Sequence, residues 1–294
     1  MKLVVGILLL AGCGRIGFAD RTGPADAGSG DGPAPCAWSA PVAVMGGVNT
    51  NINDWEPTLS LDRKTLVFAR AVDLMSATHL FLAKRTQDTG PFGPATMVLS
   101  SANSEGGALW TRNGSELYFV SDRLVLGDAR LWSTTYDASL GTFANPKQIM
   151  ELAGEPMVGP ALSPDGLELF YSDNLPLMGK LRHATRATLI SPWVVEGVVT
   201  DLDNGATQGF ATLTPDGKTL YLESAFMCTG GCIYMATRRA IGAAFGPLTK
   251  ADAFNAGSTE SGDPELTPDG TMMIYAAARP GNAGLQDIYT QTCM

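Results

Sequence analysis

One segment recurs five times along this 294-residue chain, and its spacing restricts the fold more than any other feature. LSLDRKTLVFAR at 59–70, WTRNGSELYFVSDR at 110–123, LSPDGLELFYSDN at 162–174, LTPDGKTLYLES at 213–224 and LTPDGTMMIYAA at 266–277 align on a turn residue: Asp62, Asn113, Asp165, Asp216 and Asp269. The successive intervals are 51, 52, 51 and 53 residues. A fixed period of that length marks one supersecondary unit stacked on copies of itself.

Each unit carries the signs of four short strands. Two flank the Asp/Asn turn. A third holds His79-Leu80-Phe81, Arg130-Leu131-Trp132, Lys180-Leu181-Arg182, Cys232-Ile233-Tyr234 or Asp287-Ile288-Tyr289. The fourth follows Phe92-Gly93-Pro94, Phe143-Ala144-Asn145-Pro146, Pro192-Trp193 or Phe245-Gly246-Pro247. No helical period interrupts them, and 34 Gly with 18 Pro supply the turns. Five copies of four antiparallel strands predict an all-β fold, a five-bladed β-propeller, in place of a sandwich. In the Pro-Asp-Gly turns, proline pre-sets φ and glycine takes the left-handed position, which makes them structural elements.

The repeats fall near 53–99, 104–150, 156–199, 207–250 and 260–294, inside one domain at 36–294. The fifth stops after its third strand, at Met294, and residues 38–44 (Trp38 to Val44) have the form of the missing fourth. Pairing the two closes the ring and covers two strand edges. Aligning blade five on blade two matches Ile288-Tyr289 with Leu131-Trp132, and Trp38 with Phe143. Cys293 then stands where Tyr136 does and Cys36 where Gly141 does, positions that flank a hairpin in blade two. A Cys36–Cys293 disulfide is therefore expected, with its Cα atoms near the ~5.5 Å that such a bond prefers. Cys228 and Cys232 read as a hairpin disulfide, since no second cysteine pair lies at metal-ligand spacing.

The repeats resemble the WD40-like, TolB-type propeller family, whose core pattern is P-x-L-S-P-D-G-x-x-L-x-F-x-S. The match covers nearly all of 38–294; repeats three to five keep Pro-Asp-Gly, while repeat one has Leu61-Asp62-Arg63 and repeat two Arg112-Asn113-Gly114. The resemblance implies a fold and leaves function open, because propellers of this type serve as docking scaffolds, sugar binders and enzyme accessory domains.

The N-terminus predicts an address. Met1-Lys2 and the apolar run Leu3–Leu10 are too short to span a bilayer and lead into Leu10-Ala11-Gly12-Cys13. This order resembles the lipobox of bacterial lipoproteins, which implies a signal peptide at 1–12 and diacylglycerol on Cys13. Gly14 implies the outer membrane, with the protein facing the periplasm or exposed at the cell surface. Residues 13–35, rich in Gly, Ala, Asp and Pro, read as a flexible tether. The formal net charge of -9 repels a phosphate backbone, so nucleic acid is excluded as a partner. A monomer is expected.

Candidate chemistry concentrates on one face. The loops leading into the first strands, together with those joining strands two and three, bring Asn53, Asp54, Trp55, Glu56, Glu105, Glu155, Asp203, Glu260 and Asp263 towards the channel mouth. Arg123 and Arg279 end second strands, as Arg70 does, and most simply tie a neighbouring loop carboxylate or carbonyl. An acidic mouth suits a cation, a basic peptide or polyol hydroxyls. The leading expectation is a non-catalytic, lipid-anchored binding or scaffold propeller for an envelope protein, peptide or glycan. The alternative is a glycoside hydrolase using Asp54, Glu56 and Asp263, which would need two carboxyls about 5 or 9 Å apart. With only His79 and His183, no D-x-D-x-D-G loop, no nucleophile elbow and no phosphate loop, neither a metal nor a cofactor is expected.

Overall fold

A computed structural model describes residues 36–71, 77–111, 113–173, 179–228 and 230–294; the leader, Cys13 and the tether lie outside them. Cys36–Met294 forms one compact unit. Five four-stranded antiparallel sheets make a five-bladed propeller. Blade one holds Asp54–Leu59, Thr65–Ala71, Thr78–Lys84 and Thr96–Val98, and blade two Glu105–Trp110, Glu116–Ser121, Arg130–Asp137 and Thr142–Gln148. Blade three holds Val158–Leu162, Glu168–Ser172, Leu181–Thr185 and Val194–Val198, and blade four Gln208–Leu213, Thr219–Ser224, Cys232–Thr237 and Thr249–Lys250. Blade five combines Glu260–Leu266, Met272–Ala278 and Asp287–Thr292 with Val42–Ala43 from the other end of the domain.

The second strands explain the stacking. Successive side chains on a strand point to opposite faces, so a blade sandwiched between two others must be apolar on both. Leu66-Val67-Phe68-Ala69 and Met273-Ile274-Tyr275-Ala276 are unbroken apolar runs, and every member is buried. The core accordingly divides into five clusters, one per blade interface. Val67, Leu80 and Leu82 meet Trp110, Phe119 and Trp132 between blades one and two; Leu59, Leu66 and Phe68 meet Met272, Ile274 and Ile288 between blades one and five.

The turn chemistry recurs as expected. A Ser or Thr hydroxyl donates to the turn Asp or Asn in each blade, as Ser163 does to Asp165 at 2.6 Å, and that side chain accepts the amide two residues on. Gly166 and its equivalents in blades two, four and five hold positive φ, and Arg63 takes the same conformation in blade one, at φ 59°.

The seam is stapled as the alignment predicts. Cys36 bonds Cys293 with Cα atoms 5.4 Å apart, and Trp38 bridges Cys293 as Phe143 pairs with Tyr136. Cys228 bonds Cys232. The structure adds what periodicity did not reveal: short helical turns at Met150–Leu152, Thr200–Leu202 and Asp252–Asn255, each too brief to register a 3.6-residue repeat, on the way into a first strand. Among the described residues no helix is long and apolar enough to cross a membrane.

Candidate functional site

The five first strands stand side by side around the channel, and each is interrupted by a bulge. At every bulge one residue is left-handed: Glu56, Gly107, Gly159, Phe210 and Asp263, with φ between 43° and 55°. Each lies six residues before its blade's turn residue, so the bulge repeats with the same period. Glycine tolerates this conformation; Glu, Phe and Asp occupy it against a cost of about 1–2 kcal/mol. Strained residues of this kind cluster where a fold positions functional groups. Two of the three are acids, and they sit in neighbouring blades.

These acids join a third in a chain of hydrogen bonds around the mouth. Glu223 Oε2 accepts the amide of Asp263 at 3.3 Å, Asp263 Oδ2 accepts the amide of Glu56 at 3.1 Å, and Glu56 Oε2 accepts the amide of Gly107 at 2.6 Å. Each carboxylate thus reaches the bulge of the next blade, from four to five to one to two. Glycines make the room. A Cβ on Gly106 would collide with the Glu56 carboxylate, and one on Gly231 or Gly262 with that of Glu223.

No cation from the described residues pairs with any of the three. Burial therefore dominates: it raises the Glu56 carboxyl to about 8, with the nearby Asp263 charge adding to the rise. Asp263 is raised to about 7, mainly by burial, against the relief of its bond from the Glu56 amide. Glu223 lies well above the ordinary carboxylate range for the same first reason, compounded by Asp263, Glu260 and Glu56. Half-buried Glu260, raised by burial, borders the group across Gly230.

The other expected mouth acids, Glu260 apart, each meet a basic side chain. Asp54 is fully buried with one oxygen 2.5 Å from Arg70 Nε and the other on Thr50. Glu105 meets His79 at 3.0 Å and Arg123 at 3.5 Å; Glu155 meets Arg182 at 3.1 Å, and Asp203 meets Lys180 at 2.6 Å. Asn53 accepts the Gln286 amide, and Arg279 donates to the carbonyls of Ala256 and Phe254. Of the expected residues, Glu56 and Asp263 are brought together, and Asp54 is held apart in its ion pair.

Glu223 was not among the expected residues, because it lies on a second strand, outside the loops searched. A signal existed: seven residues after the turn the other blades have Ala69, Val120, Ser172 and Ala276, and blade four alone has an acid.

Beside Glu56, between blades one and two, opens a cavity of about 310 Å³. Trp55, Glu56, Ser104, Gly107, Asp122 and Gly127 are among the residues that wall it. Its size and its half-buried aromatic beside an acid suit a side chain or a small polar ligand. Among the described residues no cluster of three or more His, Cys, Asp or Glu has metal-binding geometry.

No family model matches the chain, and no curated protein does. By structure it resembles the catalytic domain of a GH62 alpha-L-arabinofuranosidase from Coprinopsis cinerea at 12% identity and TM-score 0.56, over 86% of this chain and 96% of that one. An alpha-L-arabinofuranosidase from Podospora anserina, in complex with cellotriose, aligns at 15% identity and TM-score 0.55, over 85% and 94%. TolB from Acinetobacter baumannii aligns at 16% identity and TM-score 0.47 over 76% of this chain, which spans 52% of that one.

Proposed function

We propose that the protein is a non-catalytic binding propeller that captures a cationic group of an envelope protein or peptide at its channel mouth. The observation that carries this reading is the chain Glu223–Asp263–Glu56: three carboxyls linked through backbone amides, with no positive partner among the described residues. Four neighbouring acids each have an Arg, Lys or His, so the fold supplies cations where it needs them. A cation placed against the three would relieve both their burial and their mutual repulsion. The lipobox-like Leu10-Ala11-Gly12-Cys13 supports a lipid anchor on Cys13 and residence in the bacterial envelope.

A second reading has an observation of its own. A carboxyl raised to about 8, beside another raised to about 7, suits a general acid in glycoside hydrolysis. One experiment separates the two. The chain is titrated with n-butylammonium, a mimic of the lysine side chain, and followed by NMR, in parallel with reducing-sugar release from a broad glycan panel. Binding predicts saturable shifts at the mouth, weakened about 10-fold in Glu56→Gln and Asp263→Asn, and no turnover. Turnover abolished by Glu56→Gln would replace binding with hydrolysis.

A further inference from the structure

Apolar side chains stand in water around the same mouth. The loop between the second and third strands of blade two exposes Leu124, Val125 and Leu126, the last 78% accessible. This loop is continuous with Asp122 and Gly127, which wall the cavity holding Glu56. The corresponding loop of blade four exposes Phe226 and Met227, the latter 87% accessible. That loop runs into Gly230 and Gly231, which press on Glu260 and Glu223. Apolar tips thus flank the acids from two sides.

The lower face also exposes apolar residues, but in a different setting. Leu61 lies 3.1 Å from where a Cβ on Gly114 would stand, and Leu189 and Ile241 sit as closely over Gly166 and Gly217. Those side chains lean on the hairpin turns of the fold, and the acids there belong to the turns. Glu56, Glu223 and Asp263, linked through backbone amides and without a cation among the described residues, all lie at the upper mouth.

We infer that the upper face is a docking surface for an extended peptide segment of a partner protein in which a Lys or Arg is flanked by apolar residues. The basic side chain enters between Glu56, Asp263 and Glu223, and its apolar neighbours cover Leu124–Leu126 on one side and Phe226–Met227 on the other. Charge complementarity selects the occupant. A neutral glycan leaves the acids uncompensated and the apolar tips wet, and an anionic lipid surface is repelled by them. Isolated apolar residues on a surface need no partner, whereas two clusters bracketing an uncompensated polar site match the core-and-rim anatomy of a recognition surface. The inference rests on the cation-binding reading above and adds the identity of the ligand to it.

The test is selection from a displayed random heptapeptide library on the full-length protein in zwitterionic nanodiscs. Enriched peptides are expected to carry Lys or Arg within two positions of Leu, Met or Phe. Resynthesised, they should bind at least 10-fold more weakly when their basic residue is replaced by Gln, and at least 10-fold more weakly to Leu124→Ser/Val125→Ser/Leu126→Ser. Peptides sensitive to the basic residue but indifferent to the triple variant overturn the docking surface and leave the cation site standing. Peptides sensitive to the triple variant but indifferent to their own charge overturn the cation reading itself. No enrichment, with n-butylammonium still binding at the mouth, overturns the peptide ligand alone; enrichment on bare nanodiscs or glycan-only binding does the same.

Discussion

The main-chain amide of Glu56 donates to the Oδ2 of Asp263 at 3.1 Å, across the seam where blade five meets blade one. The residues are 207 positions apart, and the acid chain exists only when the ring is closed. Site and closure are therefore one structural problem.

The acids at the mouth set the sign of the pH dependence. Glu56 and Asp263 have folded values near 8 and 7, above their unfolded ones, so the folded state holds more protons in between. Their contribution to stability is full below the unfolded values and lost as pH rises through about 5 to 8. Melting temperature should fall over that range, and the fall should flatten in Glu56→Gln and Asp263→Asn. A wild-type profile that rises from pH 5 to 8 and is unchanged in both variants contradicts the protonated ring. If a cation binds there, affinity should increase with pH over the same interval.

The two disulfides close loops of very different length, and the chain-entropy account ranks them. Cys36–Cys293 spans 257 positions and Cys228–Cys232 spans 4. Replacing the first pair with Ser should cost about 3–5 kcal/mol, the second about 2 kcal/mol or less. Equilibrium denaturation of the two double variants gives the order directly. The Cys36–Cys293 variant should also weaken n-butylammonium binding, since loosening the closing strand of blade five loosens the ring that brings Asp263 and Glu56 together.

Between blades three and four, Arg238 meets Glu168 with both nitrogens, Nη1 to Oε1 at 2.9 Å and Nη2 to Oε2, and both side chains are buried. Burial alone would raise Glu168, but bonding to His183 and Arg238 outweighs it and holds the carboxyl at about 2. The pair stabilises fully above the unfolded value, and that stability is lost as pH falls from about 4.5 towards 2. Arg238→Met leaves a buried carboxylate with only His183 against it and should cost about 3–5 kcal/mol. A loss below 1 kcal/mol in urea denaturation would show the pair to be dispensable.

The periodic parts of this protein were legible because one constraint acts five times. Asp62, Asn113, Asp165, Asp216 and Asp269 sit in the same hairpin, so their spacing revealed blade number, strand count and the closing strand, and the Tyr136–Phe143 pairing located the Cys36–Cys293 bond. The site was legible only in part, because it lies where the repeats differ. Asp54 and Glu56 look alike in sequence, yet Asp54 points at Arg70 while the left-handed bulge turns Glu56 towards Gly107 and the next blade. Which acid is neutralised depends on partners brought together by folding, and loop composition does not encode it. Glu223 escaped because it lies on a second strand, Thr219–Ser224, away from the loops that lead into the mouth.

The address is tested at one atom. Only the thiol of Cys13 can accept the diacylglycerol that a lipobox implies, so Cys13→Ser should accumulate unprocessed or appear in the soluble fraction. Membrane association unchanged in that variant, in fractionated cells, contradicts the anchor.

The bulges allow the acid to be removed without disturbing its surroundings. Glu56 is left-handed at φ 50°, where blades two and three have Gly107 and Gly159, so Glu56→Gly restores the residue the geometry favours. Relief of a left-handed side chain is worth about 1–2 kcal/mol. Against this stand the larger unfolded-state entropy of glycine, about 0.5–1 kcal/mol, and the lost bond to the Gly107 amide, about 1 kcal/mol. The opposing contributions nearly cancel, so stability should stay within about 1 kcal/mol of wild type at pH 6. At pH 8 a repelling carboxylate has also gone, and Glu56→Gly should be the more stable protein. Binding of n-butylammonium should nevertheless fall at least 10-fold. Gly159→Ala is the contrasting change: its Cβ would lie 2.7 Å from the Phe210 amide, so it should destabilise the fold. If Glu56→Gly unfolds as readily as Gly159→Ala, Glu56 serves the architecture of the ring; if it stays folded and no longer binds, the strained conformation exists to place its carboxylate.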